Sequence, residues 1–99
     1  MNILVAGAGI GGLTTALCLL KAGHKVQVFE QASEWLEVGA GVQLGANALC
    51  VLDALGLMQS IQALAVCPER VEFREFDSGR VLHSEQWGEA YEAEYGLPY

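Results

Sequence analysis

The stretch VAGAGIGGLTTALCLLKAGHKVQVFEQA, residues 5–32, joins regularly spaced glycines to an apolar segment and a single glutamate. Just before the glycines, Ile3-Leu4-Val5-Ala6 is an apolar run without polar alternation, which is typical of a strand buried on both faces of a parallel sheet. Residues 26–30 form a second predicted strand. An apolar helical face lies between the two strands, formed by Leu13, Ala16, Leu17 and Leu20. This order predicts a right-handed βαβ unit whose helix ends at a left-handed Gly23.

The glycines follow the pattern Gly7-x-Gly9-x-x-Gly12 between the predicted strand and the predicted helix. The first allows a tight turn, the second lets backbone approach a pyrophosphate, and the third lets the helix pack on the strand. Glu30 ends the second strand, where a carboxylate accepts from the ribose hydroxyls of adenosine and repels a 2′-phosphate. The helix N-terminus favours the diphosphate. The residues predicted to bind the adenosine end are Gly7, Gly9, Ile10, Gly11, Gly12, Glu30 and Gln31.

The rest of the chain predicts helices followed by a hairpin. Asn47 is a plausible N-cap for a helix that Gly56 closes, and residues 57–65 suggest a second short helix before Pro68. Residues 71–86 predict a β-hairpin with its turn at 77–80. The last segment, GEAYEAEYGLPY, gives no firm prediction. The two strands and the hairpin all need further packing partners, so the pattern indicates part of a larger protein.

Composition and charge exclude several classes of function. The chain is 53% hydrophobic and carries a net charge of −7, so it lacks the basic face that a nucleic acid requires. Residues 3–20 are uncharged, but four closely spaced glycines argue against a membrane helix, and Met1-Asn2 offers no basic region for a signal peptide. The three cysteines form no CxxC or Cys/His cluster. We therefore expect no metal site, free thiols and a cytoplasmic location.

A second motif distinguishes between NAD and FAD, which share an ADP moiety. The run Gly39-Ala40-Gly41-Val42-Gln43-Leu44, followed by Asn47, resembles the single-component flavin-dependent aromatic hydroxylases, such as the salicylate, 3-hydroxybenzoate and 6-hydroxynicotinate hydroxylases. The Glu30-Gln31-Ala32 end of the second strand is also similar to theirs. Ala46 departs from the family, which usually has proline there. The resemblance covers nearly the whole chain.

The resemblance implies FAD as cofactor, NAD(P)H as co-substrate and a small aromatic compound as the substrate that is hydroxylated with O2. Gly41 and Val42 would run beside the flavin ring, with Gln43 directed toward the flavin and substrate side. In relatives, an Asp-Gly motif, a Gly-Asp motif and an arginine that reaches FAD lie farther along the chain. No catalytic residue can therefore be named within these 99 residues, which we expect to be inactive alone.

The predicted fold class is α/β, with a partial Rossmann-like FAD-binding βαβ unit followed by a β-hairpin of a substrate domain. Residues 1–68 are assigned to the ADP-binding region and residues 69–99 to the incomplete start of the substrate domain. Two alternatives stay open: an NAD-binding module of a dehydrogenase, and a truncated chain that binds nucleotide poorly or not at all. The pattern leaves the oligomeric state undetermined.

Overall fold

The computed structural model describes residues 1–36, 39 and 41–99, which form a mixed α/β chain. It divides into two compact units, Met1–Gly41 and Val42–Tyr99. The elements in chain order are β1 (Asn2–Ala6), α1 (Ile10–Lys21), β2 (Lys25–Phe29), α2 (Ala46–Ala54), α3 (Met58–Gln62), β3 (Arg70–Arg74), β4 (Val81–Gln86) and α4 (Gly88–Tyr95). The α/β class predicted from the sequence is confirmed.

The first unit is a strand, a helix and a second strand parallel to the first. β1 pairs with β2 from Asn2 opposite Lys25 to Ala6 opposite Phe29. The pairing continues one residue further, where the N–H of Gly7 donates to the Phe29 carbonyl at 2.7 Å. The glycine-rich turn therefore starts directly at the carboxyl end of β1, beside the end of β2.

The end of α1 follows the sequence prediction. Gly23 has φ +88°, a left-handed conformation that costs glycine little. Its N–H donates to the Leu20 carbonyl and that of His24 donates to Leu19, each at 3.0 Å, which satisfies two carbonyls at the helix end. The chain thereby turns back to begin β2 at Lys25.

Burial in the first unit differs from the prediction that both faces of its strands are covered. Ile3 and Val5 of β1 are half-buried, whereas Leu4 between them is 67% exposed, and Phe29 at the end of β2 is 57% exposed. Ala16 of α1 is buried. The exposed faces belong to the two strands for which the sequence predicts further packing partners.

In the second unit, α2 begins earlier than predicted. Its N-cap is Gly45, whose carbonyl accepts from the N–H groups of Ala48 and Leu49 at 3.0 Å each, so Asn47 lies inside the helix. The N-cap prediction for Asn47 was therefore wrong. The predicted closure at Gly56 is confirmed by its φ of +77°. The short helix α3 follows, within the predicted stretch.

The predicted hairpin is confirmed as β3 and β4, which pair antiparallel from Arg70 opposite Gln86 to Arg74 opposite Val81. An irregularity in the register lies between Phe73 and Arg74. On β3, the Glu72 carboxylate pairs with Arg74 at 2.5 Å and with Arg70 at 3.2 Å. The hairpin leads through Trp87 into α4, a helix that the sequence analysis did not predict.

Candidate functional site

The glycine-rich turn between β1 and α1 depends on glycine at two positions for different reasons. Gly7 has φ +96°, which residues with a side chain rarely adopt. A Cβ on Gly12 would lie 2.0 Å from the Gly7 carbonyl oxygen and 3.6 Å from Val5 Cγ1. The first turn of α1 therefore packs directly on the loop and on β1, as the predicted role of the third glycine requires.

The N-terminus of α1 is open to a ligand. Gly9 is the N-cap, and no side chain caps the helix. A Cβ on Gly9 would meet nothing within 4 Å, so its backbone borders free space. The first N–H groups of an α-helix, here those of Ile10, Gly11 and Gly12, have no acceptor within the helix. With no acid in the first turn, these donors and the helix dipole form a site suited to an anion.

Glu30 binds directly to the glycine-rich turn. It follows the last residue of β2, and its Oε2 accepts from the N–H of Ala8 at 2.7 Å, across 22 residues of sequence. Its Oε1 accepts from the N–H of Ala32 at 2.9 Å. Ala8 itself is buried. The structure thus brings together the glutamate and the glycines that the sequence analysis assigned to one site.

The same contacts determine the charge of Glu30. The backbone N–H of Ala32, followed by that of Ala8, holds the pKa of the Glu30 carboxyl below its ordinary value of 4.5. A further backbone contribution comes from Gln31. At neutral pH Glu30 therefore presents a fixed negative charge beside the glycine-rich turn, which it contacts at Ala8 across 22 residues of sequence.

The second predicted motif is divided between the two compact units. Gly41, with φ +144°, ends the first unit, while Val42 and Gln43 begin the second. Ala40, which the sequence analysis placed in the flavin-lining run, lies outside the described residues. Val42 is 65% exposed.

Two tyrosines that the sequence analysis did not select contact this motif within the second unit. The hydroxyl of Tyr91 accepts from the N–H of Ala46 at 3.1 Å, and the hydroxyl of Tyr99 donates to Gln43 Oε1 at 3.5 Å. A signal was present in the sequence, since aromatic residues recur every fourth position at Trp87, Tyr91, Tyr95 and Tyr99. That spacing places Tyr91 and Tyr95 on one face of α4, directly after its N-cap Trp87.

No group of three or more His, Cys, Asp or Glu side chains within residues 1–36, 39 and 41–99 is arranged to hold a metal ion. Over the same part of the chain, no helix combines the length and the apolar character needed to cross a bilayer.

The residues of the first unit fit the ADP portion of a dinucleotide. They combine a left-handed glycine turn, an uncapped helix N-terminus with free space at Gly9, and an ionised carboxylate next to the same loop. In the comparison with known proteins, the family described as FAD binding domain matches residues 1–95 of this chain. The chain belongs to this family of FAD binding domains, and its cofactor is FAD.

Individual relatives are hydroxylases and monooxygenases. The chain is 42% identical over 99 residues to 3-hydroxybenzoate 6-hydroxylase of Polaromonas naphthalenivorans, covering 100% of this chain and 25% of that enzyme. It is 39% identical over 99 residues to 3-amino-4-hydroxybenzoate 2-monooxygenase of Streptomyces cremeus, again covering 100% of this chain and 25% of the relative. It is 34% identical over 98 residues to 6-hydroxynicotinate 3-monooxygenase of Pseudomonas fluorescens, covering 99% of this chain and 26% of that enzyme.

The chain therefore spans about a quarter of the length of these curated relatives. The resemblance to flavin-dependent aromatic hydroxylases that the sequence analysis stated is confirmed. The dehydrogenase alternative is not favoured by these comparisons.

Proposed function

We propose that this chain is the FAD-binding portion of a flavoprotein monooxygenase that hydroxylates a small aromatic substrate with NAD(P)H and O2. The observation that carries the proposal is the contact of the Glu30 carboxylate with the glycine-rich turn, at 2.7 Å from the Ala8 nitrogen. The names of the relatives support the reaction class, since they are hydroxylases and monooxygenases of aromatic compounds. Bound FAD would supply the redox chemistry with NAD(P)H and O2.

The proposed cofactor site has an adenosine side and a flavin side. The proposed binding residues on the adenosine side are Gly7, Gly9, Ile10, Gly11, Gly12, Glu30 and Gln31, and those on the flavin side are Gly41, Val42 and Gln43. The parallel β1–β2 pair with α1 between the strands supports a Rossmann-like arrangement of the adenosine side. In this arrangement, residues 1–68 contribute to the ADP-binding region and residues 69–99 begin the substrate domain.

Glu30 can hold the loop and a ribose at the same time. A carboxylate has about four lone-pair directions over its two oxygens. The N–H groups of Ala8 and Ala32 each use one direction, on different oxygens. Each oxygen therefore keeps acceptor capacity for a ribose hydroxyl, and the negative charge disfavours a 2′-phosphate at the same place.

The diphosphate would lie at the N-terminus of α1. Gly9 leaves its Cβ position open, so backbone and diphosphate can approach closely, and the amides of Ile10 and Gly11 supply donors on the helix axis. The part of the site nearest the diphosphate therefore consists of backbone groups rather than side chains. Its selectivity for the adenosine ribose would come from Glu30.

A cytoplasmic location agrees with the cysteines. Cys18, Cys50 and Cys67 are free and exposed. Exposed thiols persist in reducing compartments, whereas oxidising compartments favour disulfides.

The proposal is tested by titrating FAD into the 99-residue chain while following flavin fluorescence and circular dichroism together. We expect saturable quenching by a folded chain, without hydroxylation by the chain alone. Glu30→Arg should weaken FAD binding at least about tenfold, because a cation replaces the ribose acceptor and loses both N–H contacts. Glu34→Arg is the matched control, since it makes the same charge change in the same exposed segment.

Other outcomes separate the alternatives. Preferential binding of NAD over FAD would support the dehydrogenase reading. No binding of either dinucleotide by a folded chain would support a truncated chain without nucleotide affinity. Equal FAD binding by the wild type and Glu30→Arg would remove Glu30 from the ribose site.

A further inference from the structure

Four aromatic residues at the end of the chain form one cluster centred on Tyr91. Its ring centroid lies 4.5 Å from that of Tyr95, 5.3 Å from that of Tyr99 and 6.4 Å from that of Trp87. Trp87 and Tyr99 contact each other at 4.0 Å. The cluster therefore packs the chain end back onto α4 and fixes the ring of Tyr91 from several sides.

The hydroxyl of Tyr91 accepts a hydrogen bond from the first residue of α2. Gly45, the N-cap of this helix, has no side chain to satisfy the first helical N–H groups. The N–H of Ala46, the first helical residue, instead donates to Tyr91 Oη at 3.1 Å. A hydroxyl from a residue 45 positions away thus does what a capping side chain ordinarily does.

The rings also lie close to the backbone that precedes the helix. A Cβ on Gly45 would be 3.6 Å from Tyr91 Oη and 3.8 Å from Tyr99 Cε2. Two residues earlier, Gln43 Oε1 accepts from the Tyr99 hydroxyl at 3.5 Å, a long contact. Val42, by contrast, is largely exposed. One end of the segment Val42–Ala46 is therefore held by tyrosines while the other remains available to a ligand.

We propose that Tyr91 is a positioning residue, assisted by Tyr99, which fixes the segment Val42–Ala46 in the conformation that lines the flavin. The flavin-lining part rests on the proposed function above. Tyr91 does not touch the cofactor in this account. It reduces the conformational freedom of the segment before FAD arrives, so that less ordering remains to be done on binding.

Tyr95 provides a matched control for the hydroxyl of Tyr91. It lies one helical turn farther along α4, and its ring also belongs to the cluster. Its hydroxyl, however, interacts with the neighbouring Glu94, and this contact is the main reason that the pKa of Tyr95 is raised. Removing either hydroxyl leaves a ring in the cluster, but only the Tyr91 change removes the acceptor of the Ala46 N–H.

The test compares Tyr91→Phe and Tyr95→Phe in the 99-residue chain by ¹H–¹⁵N NMR, first without FAD. We expect Tyr91→Phe to shift the Ala46 amide signal and speed its hydrogen exchange about fivefold or more, as the loss of one hydrogen bond predicts. Tyr95→Phe should leave that signal in place. An unchanged Ala46 amide in Tyr91→Phe would overturn the positioning role.

FAD is then added to the same proteins. Tyr91→Phe should weaken FAD binding by about threefold to tenfold, in line with one lost hydrogen bond in the segment, and Tyr95→Phe should not. Equal affinity in the two variants would overturn the link between Tyr91 and the cofactor. If FAD leaves the wild-type Val42 and Gln43 signals unchanged, the flavin-lining proposal fails by itself, independently of the Ala46 result.

Gly45→Ala covers the case in which Tyr91→Phe does not fold. The added methyl group would contact Tyr91 Oη and Tyr99 Cε2 at ordinary distances but would lie 3.0 Å from Asn47 Oδ1, which can rotate away. The backbone of Gly45, with φ −77°, accepts alanine without strain. We expect this variant to fold and to shift the ring signals of Tyr91 and Tyr99, which the added methyl group would contact, together with the Gln43 amide. Shifts confined to Asn47 would contradict a role for the tyrosines.

Discussion

The two compact units hold their candidate residues by different means. In the first, backbone groups of the turn after β1 are fixed by nearby glycines and by one carboxylate, Glu30. In the second, the segment before α2 is held by tyrosines from the far end of the chain. The first arrangement is encoded within 32 residues of sequence, and the second requires residues 45 to 56 positions apart.

This difference determines what a substitution should do. At Gly12 an added side chain would meet main-chain atoms that cannot rotate away, whereas at Gly9 and Gly11 it would meet nothing within 4 Å. Sites held by side chains tolerate conservative changes and lose affinity in smaller steps. We therefore expect the largest effect from a change at Gly12, a smaller one at Gly9 and the smallest at Glu30.

The largest effect is expected for Gly12→Ala. Its methyl group would lie 2.0 Å from the Gly7 carbonyl oxygen, so α1 must move away from the loop. We expect a loss of about 3 kcal/mol in the free energy of unfolding, in the upper part of the range for overpacking. Gly11→Ala is the control, because a Cβ there meets nothing within 4 Å. The free energy of unfolding of both variants is measured by urea unfolding monitored by circular dichroism. Equal stability of the two variants would contradict the close packing.

Gly9→Ala should separate binding from folding. The backbone at φ −71° and ψ −178° accepts alanine, and the added methyl group meets no protein atom within 4 Å. Stability should therefore remain within about 0.5 kcal/mol of the wild type. FAD affinity should fall about tenfold or more, because the methyl group occupies the space proposed for the diphosphate. Wild-type affinity in this variant, measured by flavin quenching, would place the diphosphate elsewhere.

A smaller, pH-dependent effect is expected from Glu30. Because its pKa is lowered in the folded chain, its ionised form stabilises the fold above the ordinary pKa of 4.5, and this contribution disappears as the pH falls through the folded-state value. Contacts with Arg74 and His83 likewise lower the pKa of Glu72 and Glu85. The contribution of Glu30 is therefore isolated by the difference in stability between the wild type and Glu30→Gln.

We therefore expect the stability advantage of the wild type over Glu30→Gln to be constant near neutral pH and to shrink below pH 4.5. Urea midpoints measured at several pH values give this difference. In parallel, the amide signals of Ala8 and Ala32 should titrate with one common pKa below 4.5, since both donate to the same carboxylate. A separate pKa at each amide would contradict the shared contact.

The sequence predicted best those features that neighbouring residues determine. The turn at Gly7, the helix end at Gly23 and the closure at Gly56 depend on local backbone conformation, and all three have positive φ. The link between Glu30 and the loop was predictable because a parallel pair brings the carboxyl ends of its strands together.

Features that depend on distant residues were missed. Asn47 is a favourable cap residue, but α2 begins at Ala46, whose N–H donates to the hydroxyl of the distant Tyr91. The helix α4 was not predicted, since its glutamates and flanking glycines obscure the aromatic spacing. The apolar pattern of β1 indicates that Leu4 needs a covering layer, but it cannot identify the residues that form that layer.

The central claim, that the glycine-rich turn and Glu30 hold the ADP portion of FAD, is tested most directly by NMR titration of the ¹⁵N-labelled chain with ADP alone. We predict saturable shifts of the Ile10, Gly11 and Gly12 amides, with Ala8 and Ala32 responding beside Glu30. Gly79 of the hairpin turn should remain unchanged. Shifts absent from the N-terminus of α1, or concentrated in the second unit, would contradict the account.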